Sequence, residues 1–162
     1  MKRIEEKVGD LLRRWGATVS VAESCTGGLI AHRITNIPGS SDYFESGIVS
    51  YSNQAKGELL GVPPSLIDDY GPVSEPVARK MAEGIRDRRK TTIGLATTGV
   101  AGPLGGTSQT PVGTVFIGLA SPNETVVRQF HFAGERTEVK DLAAEKALHI
   151  LFEYSIQHEK ER

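Results

Sequence analysis

The order of patterns along the chain constrains its fold more than any single motif. Helix and strand signals alternate early on, and late in the chain two strand signals follow each other around a turn. Ile4, Val8, Leu11, Leu12 and Trp15 recur at helical spacing and stop at Gly16, which predicts an amphipathic helix with a glycine cap. ATVSVAES reads as a strand. GGLIAHRITN reads as a helix, with Leu29, Ile30, Ile34 and Ile37 on one side and Pro38 and Gly39 closing it. YFESGIVSYS has the β-branched and aromatic content of a strand, and SNQAKGELLG puts a capping residue ahead of a short helix. PPSLIDDYG adds a helical turn with Pro64 near its start and Gly71 beyond its end. Ser74 is expected to cap a helix in which Val77, Met81 and Ile85 repeat every four residues. TTIGLATTG is a strand running into GVAGPLGGTSQTPVG, and GTVFIGLAS and ETVVRQFHFAG form a hairpin around SPNE. A last helix is expected from about Thr137, with Val139, Leu142, Ala143, Ala147, Ile150, Leu151 and Tyr154 in period, and the tail QHEKER is expected to fray. This order predicts an α/β fold: a three-layer α/β/α sandwich around a mixed, mostly parallel sheet with one antiparallel member. Ligands of such sheets sit beyond the carboxyl ends of the strands, where the glycine-rich loops at 24–28 and 99–113 are expected to emerge.

The remaining bounds are quickly drawn. At 162 residues the chain fits one domain able to bury its own core. Net charge is −1 with both signs interspersed, so neither a nucleic-acid surface nor a membrane surface is expected. A single cysteine forms no internal disulfide, the N-terminus is too charged for a secretory segment, and no apolar run is long enough to cross a bilayer. A cytoplasmic protein in a reducing compartment is the simplest expectation. The histidines are scattered and the cysteine stands alone, which argues against a metal centre.

Chemistry concentrates in three places. SCTGG puts Ser24 beside Cys25 at a strand-to-helix turn, where free helix N–H groups can hold an anion or an oxyanion. The alternative is that Ser24 or Thr26 merely caps the helix. Serine needs a base, and none of the four histidines falls in a glycine-rich loop, so a Ser-His-Asp triad has little support. Lys56, early in the helix after YSNQ, lies where the positive helix end disfavours its charge, and Tyr51 is positioned to pass a proton or fix the lysine. The alternative for Lys56 is a solvated surface lysine. The loop TTGVAGPLGGTSQTPVG offers backbone N–H groups and the hydroxyls of Thr97, Thr98, Thr107, Ser108 and Thr110 to a phosphate or ribose, without matching a phosphate-binding NTPase loop or the dinucleotide fingerprint. Arg136 can pair with a phosphate or with a carboxylate of its own chain.

Taken in order, AESCTGGLIA, PGSSDYFESGIVSYSNQAK, LLGV, GPVSEPVARKMAEG, TTGVAGPLGG, TPVGTVFIGLA and FAGERTEV resemble the CinA C-terminal domain family from about Gly16 to Leu151. The resemblance implies one amidohydrolase domain over the whole chain, similar to stand-alone nicotinamide-nucleotide amidases that turn nicotinamide mononucleotide into nicotinic acid mononucleotide and ammonia. It implies Ser24 as nucleophile with Lys56 and Tyr51 beside it. Thr26, Gly27, Gly28, Thr98, Gly99, Gly102, Gly105 and Gly106 would contact the nucleotide, and Arg136 its phosphate. No cofactor or metal is implied, the partner is a small nucleotide substrate, and open sheet edges leave room for a homodimer. Family members often carry a lysine before PVGTV where this chain has Thr110, so a phosphate contact from a lysine there does not carry over to this sequence. Activity tied to the additional N-terminal domain of larger members is expected to be absent. Two rival readings are a non-catalytic pyridine-nucleotide-binding module and an amidase for another nucleotide-like amide.

Overall fold

A computed structural model describes residues 1–159 of the chain. The first helix, α1 (Ile4–Trp15), ends at Gly16, whose φ of 73° is open to glycine at little steric cost. Strand β1 (Val19–Glu23) leads into α2 (Leu29–Thr35), and a short turn at Ser40–Asp42 precedes β2 (Phe44–Val49). Helices α3 (Asn53–Leu60), α4 (Pro64–Tyr70) and α5 (Glu75–Arg89) follow, then β3 (Ile93–Gly99), the hairpin of β4 (Thr114–Ala120) and β5 (Thr125–His131), and α6 (Arg136–Glu159). Among the described residues no helix is long and apolar enough to cross a membrane.

The strands lie in the order β2-β1-β3-β4-β5. β1 is parallel to both β2 and β3, and β4 is antiparallel to both β3 and β5. Four strands therefore point one way and β4 alone is reversed, as the late hairpin predicted. Residues 24, 50 and 99 consequently meet at one edge of the sheet, at the carboxyl ends of β1, β2 and β3.

The faces of the sheet differ because side chains alternate along each strand. Val19, Val21, Ile93, Leu95, Val115, Ile117 and Leu119 form one core with apolar residues of α1, α2 and α6. The opposite face carries small residues at Ala22, Gly94, Ala96, Gly118 and Ala120, and α3, α4 and α5 cover it. Their size lets the backbone of α5 lie almost on the strands: a Cβ at Gly118 would sit 2.8 Å from the Ala78 carbonyl oxygen, and one at Gly94 would overlap that of Ala82. A glycine inside a strand commonly marks such an approach.

Two expectations need correction. Ser74 occupies the N-cap position of α5, but its hydroxyl donates to the Gly71 carbonyl (2.9 Å) and does not accept from the helix. It folds the α4–α5 connection back on itself. The expected fraying also fails for Gln157–Glu159, which continue α6, because Arg14 on α1 holds Glu159 at 2.5 Å. Lys160–Arg162 lie outside the described residues.

The close approach of α5 yields a stability prediction. Gly94→Ala adds one methyl group where the Ala82 carbonyl already sits, and it is expected to lower stability by about 1–3 kcal/mol. Thermal or urea unfolding read by circular dichroism measures this directly.

Candidate functional site

Ser24 leaves the end of β1 with its backbone still fixed. Its N–H donates to the Thr97 carbonyl (3.1 Å), while the Ser50 N–H donates to the carbonyl of Glu23 (2.9 Å), so both neighbouring strands hold the chain up to the turn. Gly27 (φ 60°) and Gly28 (φ 102°) then turn it into α2. Neither Ser24 nor Thr26 caps that helix. The 1% exposed carboxylate of Glu23 does so from within the strand, accepting from Ile30 N–H (2.9 Å) and Ala31 N–H (3.0 Å). The helix N–H groups that sequence reasoning offered to an anion are thus already occupied. Glu23 was missed, and its signal was a charged residue at a core-facing strand position, which requires internal donors.

Lys56 reaches Ser24 from α3. The Ser52 hydroxyl accepts from Ala55 N–H (3.0 Å) to start that helix, and the lysine projects from its first turn into the sheet edge. Only 2% exposed, Lys56 places Nζ 3.1 Å from Ser24 Oγ and 3.2 Å from the Tyr51 carbonyl oxygen. Burial pulls its pKa below that of a free lysine. A neutral amine here can donate one N–H to Tyr51 O and turn its lone pair towards the Ser24 hydroxyl. That is the geometry of a base beside a nucleophile.

Cys25 has the opposite character. Burial pushes its thiol up to about 11, and the nearby Glu23 carboxylate adds to the rise. At neutral pH it is an unreactive thiol behind the turn.

Ser24 and Lys56 open onto a cleft of about 260 Å³, also lined by Thr98, Gly99, Gly105 and Arg136. Arg136, the first residue of α6, donates from Nη1 to the Gly102 carbonyl (2.7 Å) and from Nη2 to the Tyr51 hydroxyl (2.9 Å). Of the two partners the sequence allowed, a carboxylate of its own chain is not one: among the described residues none pairs with Arg136. A full positive charge therefore stands at the mouth of the cleft with only neutral partners.

Residues 1–155 match the family model described as the CinA C-terminal domain. The chain belongs to that family. It is 55% identical over 152 residues to a CinA-like protein of Syntrophus aciditrophicus and 50% identical over 148 residues to one of Geotalea daltonii, covering 93% and 91% of this chain. It spans 36% of the length of each of these relatives. Among solved structures, the competence or damage-inducible protein of Enterobacter asburiae superposes with a TM-score of 0.90 at 32% identity, covering 94% of this chain and 96% of that one. The competence/damage inducible protein CihA of Agrobacterium tumefaciens gives 0.87 at 36% identity, covering 93% and 97%.

Within this CinA domain the expected site residues separate into groups. Ser24, Lys56, Tyr51, Thr98, Gly99, Gly105 and Arg136 share the cleft. The part of Tyr51 that meets the lysine is its main-chain carbonyl, however. The residue is 60% exposed, and its hydroxyl bonds Arg136 and neither Ser24 nor Lys56. Gly102 lines an adjoining cavity of about 610 Å³ on the other flank of Arg136. Gly27 and Gly28 line a separate depression with His32 and Lys140. Thr26 is buried in a network with Glu23 and Thr97, and Gly106 packs against Val112. Thr110 bonds Thr107 within its own loop, away from the cleft. A more apolar groove of about 520 Å³ lies between α3 and α4, but it holds no nucleophile beside a base.

The buried amine has a measurable cost to the fold. With a folded pKa below its unfolded value, Lys56 binds more protons in the unfolded chain, so stability rises with pH between those two values. Lys56→Met is expected to raise the melting temperature most at low pH, and the gain should shrink as pH rises through the folded pKa. Melting curves of the two proteins across that range test the sign.

Proposed function

We propose that this CinA domain is a nicotinamide-nucleotide amidase, hydrolysing nicotinamide mononucleotide to nicotinic acid mononucleotide and ammonia. The observation that carries this reading is the 3.1 Å approach of a buried, pKa-lowered Lys56 amine to Ser24 Oγ, inside a cleft whose mouth holds an arginine with no carboxylate partner. Acyl transfer needs such a nucleophile and base, and a phosphate-bearing substrate needs such a cation.

The chemistry follows from those positions. Lys56 takes the proton of Ser24 as Oγ attacks the carboxamide carbon, and then gives it to the departing nitrogen, which leaves as ammonia. The resulting ester is attacked by water whose proton Lys56 accepts and passes to Ser24 Oγ as the carboxylate product leaves. The oxyanion in both steps requires donors aimed at it. Cys25, Ala101, Leu104 and Gly105 line the cleft, and their main-chain N–H groups are the candidates for that role. Arg136 is suited to the phosphate, exchanging the neutral Tyr51 hydroxyl and Gly102 carbonyl for a doubly charged acceptor.

The decisive assay follows ammonia release from nicotinamide mononucleotide by the wild type and by Ser24→Ala, Lys56→Ala and Cys25→Ala. Ser24→Ala and Lys56→Ala are expected to lose about 10³-fold or more in kcat, with Cys25→Ala still turning over. In the wild type kcat/KM should rise with pH as Lys56 deprotonates, reaching its plateau below the pKa of a free lysine. Full activity in Ser24→Ala would overturn the assignment. Binding of the nucleotide by calorimetry with no ammonia released would favour a binding module, and a higher kcat/KM on another nucleotide amide would move the substrate.

A further inference from the structure

The proposed chemistry uses what lies on one face of β1 and leaves Glu23, on the other face, without a part. Its carboxylate takes three hydrogen bonds. Oε1 accepts from the Thr26 hydroxyl (2.6 Å) and Ile30 N–H (2.9 Å), and Oε2 accepts from Ala31 N–H (3.0 Å). Because a carboxylate only accepts, the Thr26 proton must point at Glu23. The 2.9 Å contact between Thr26 and Thr97 then has one direction, with the Thr97 hydroxyl donating. The chain of bonds runs from β3 through the turn into the carboxylate and on to the first N–H groups of α2. It encloses Ser24 and Cys25, the residues between Glu23 and Thr26.

We propose, building on the reading of Ser24 as the nucleophile, that Glu23 is a positioning residue for it. Ser24 and Glu23 are successive residues and project to opposite faces. The rotation of the Ser24 Cα–Cβ bond towards Lys56 is therefore set by how firmly Glu23 is held behind it. Backbone bonds fix Ser24 on its strand side, through its own N–H to Thr97 O. On the helix side the Ser24 carbonyl accepts from Gly27 N–H (3.1 Å), and the two glycines at positive φ that follow offer little further resistance to rotation. The carboxylate adds to that single turn bond by tying the residues before the glycines to those after them. Its bidentate use of both oxygens is what does so, and an amide of the same shape does not reproduce it. In Glu23→Gln the side-chain NH₂ must face either Ala31 N–H or the pair formed by Thr26 and Ile30, so at least one donor confronts another.

The consequence falls on rate more than on binding. Displacing a nucleophile by about 1 Å costs on the order of 10²-fold in rate. The groups suited to holding a nucleotide, Arg136 and the loop at 99–105, belong to other segments. Glu23→Gln is expected to lower kcat about 10- to 100-fold while the KM and calorimetric Kd for nicotinamide mononucleotide change less than about threefold. A readout independent of that substrate is the rate at which phenylmethylsulfonyl fluoride labels Ser24, followed by mass spectrometry, which should slow in the same proportion. Leu12→Ala removes a core side chain of α1, which makes none of the bonds to Glu23, and serves as the stability control. Its melting temperature should fall at least as far while labelling and kcat keep wild-type values. Glu23→Asp, which keeps the charge but shortens the reach, should behave like Glu23→Gln. Wild-type labelling rates in either Glu23 variant would overturn the proposal, as would slowing of equal size in Leu12→Ala. Failure of both Glu23 variants to fold would assign the residue to folding alone and overturn it as well. Labelling of Ser24 in a wild type that releases no ammonia would refute the amidase reading by itself, since the labelling series still reports on Glu23.

Discussion

The contact between the α5 backbone and the glycine- and alanine-bearing face of the sheet sets the position of everything on that side of the molecule. Gly94 and Gly118 admit the helix to within carbonyl contact of the strands, and the helix then offers Gly84 to its own neighbour. A Cβ at Gly84 would overlap the carbonyl oxygen of Leu60, the last residue of α3. So α3 is drawn down by the same absence of side chains that draws α5 onto the sheet. Lys56 lies one turn before Leu60. Its amine reaches the carboxyl end of β1 because two successive layers of backbone approach as closely as backbone can, and a methyl group at any of the three glycines would push outward against that approach.

Burial on this scale treats the two ionisable groups flanking the nucleophile differently. Glu23 stays in the interior because each of its acceptor sites in use meets a donor whose own need is met in turn. Lys56 has one carbonyl and one hydroxyl for a group that would carry three protons if charged, with no carboxylate among its hydrogen-bond partners. Desolvation therefore falls on its charged form, and its pKa drops. The direction expected from the sequence holds, but its cause is removal from water and not the helix end.

The layer architecture was legible in the sequence because periodicity reports which face is buried. Val77, Met81 and Ile85 marked α5, and SPNE between two strand-like runs marked the reversed β4. Ser24 and Lys56 could be singled out by residue type and by place, at the end of a strand and the start of a helix. The partners of Tyr51 and Arg136 could not. They are set by where the 99–113 loop returns, and that loop is shaped by tertiary bonds such as Gly113 N–H to Val100 O, which no local pattern encodes. The same limit explains why the sequence could not tell that Gly27 and Gly28 line a depression separate from the cleft, and why Ser74 looks like a cap yet bonds backwards.

Three ionisable groups around the turn differ in what they leave unfulfilled. Glu23 has its donors and can only hold structure. Lys56 is poor in acceptors and sits against a hydroxyl that can lose a proton. Arg136 keeps its charge and spends its planar fork on a phenol and a carbonyl, both weaker partners than an anion. Function tends to gather where a fold leaves its groups unsatisfied, since those groups gain most when a ligand arrives. In this CinA domain the unsatisfied amine and the unsatisfied guanidinium line one cleft, while the satisfied carboxylate stands directly behind it. A substrate with an acyl centre at one end and an anion at the other would complete both at once, and a ligand lacking either end would leave one of them as it stands.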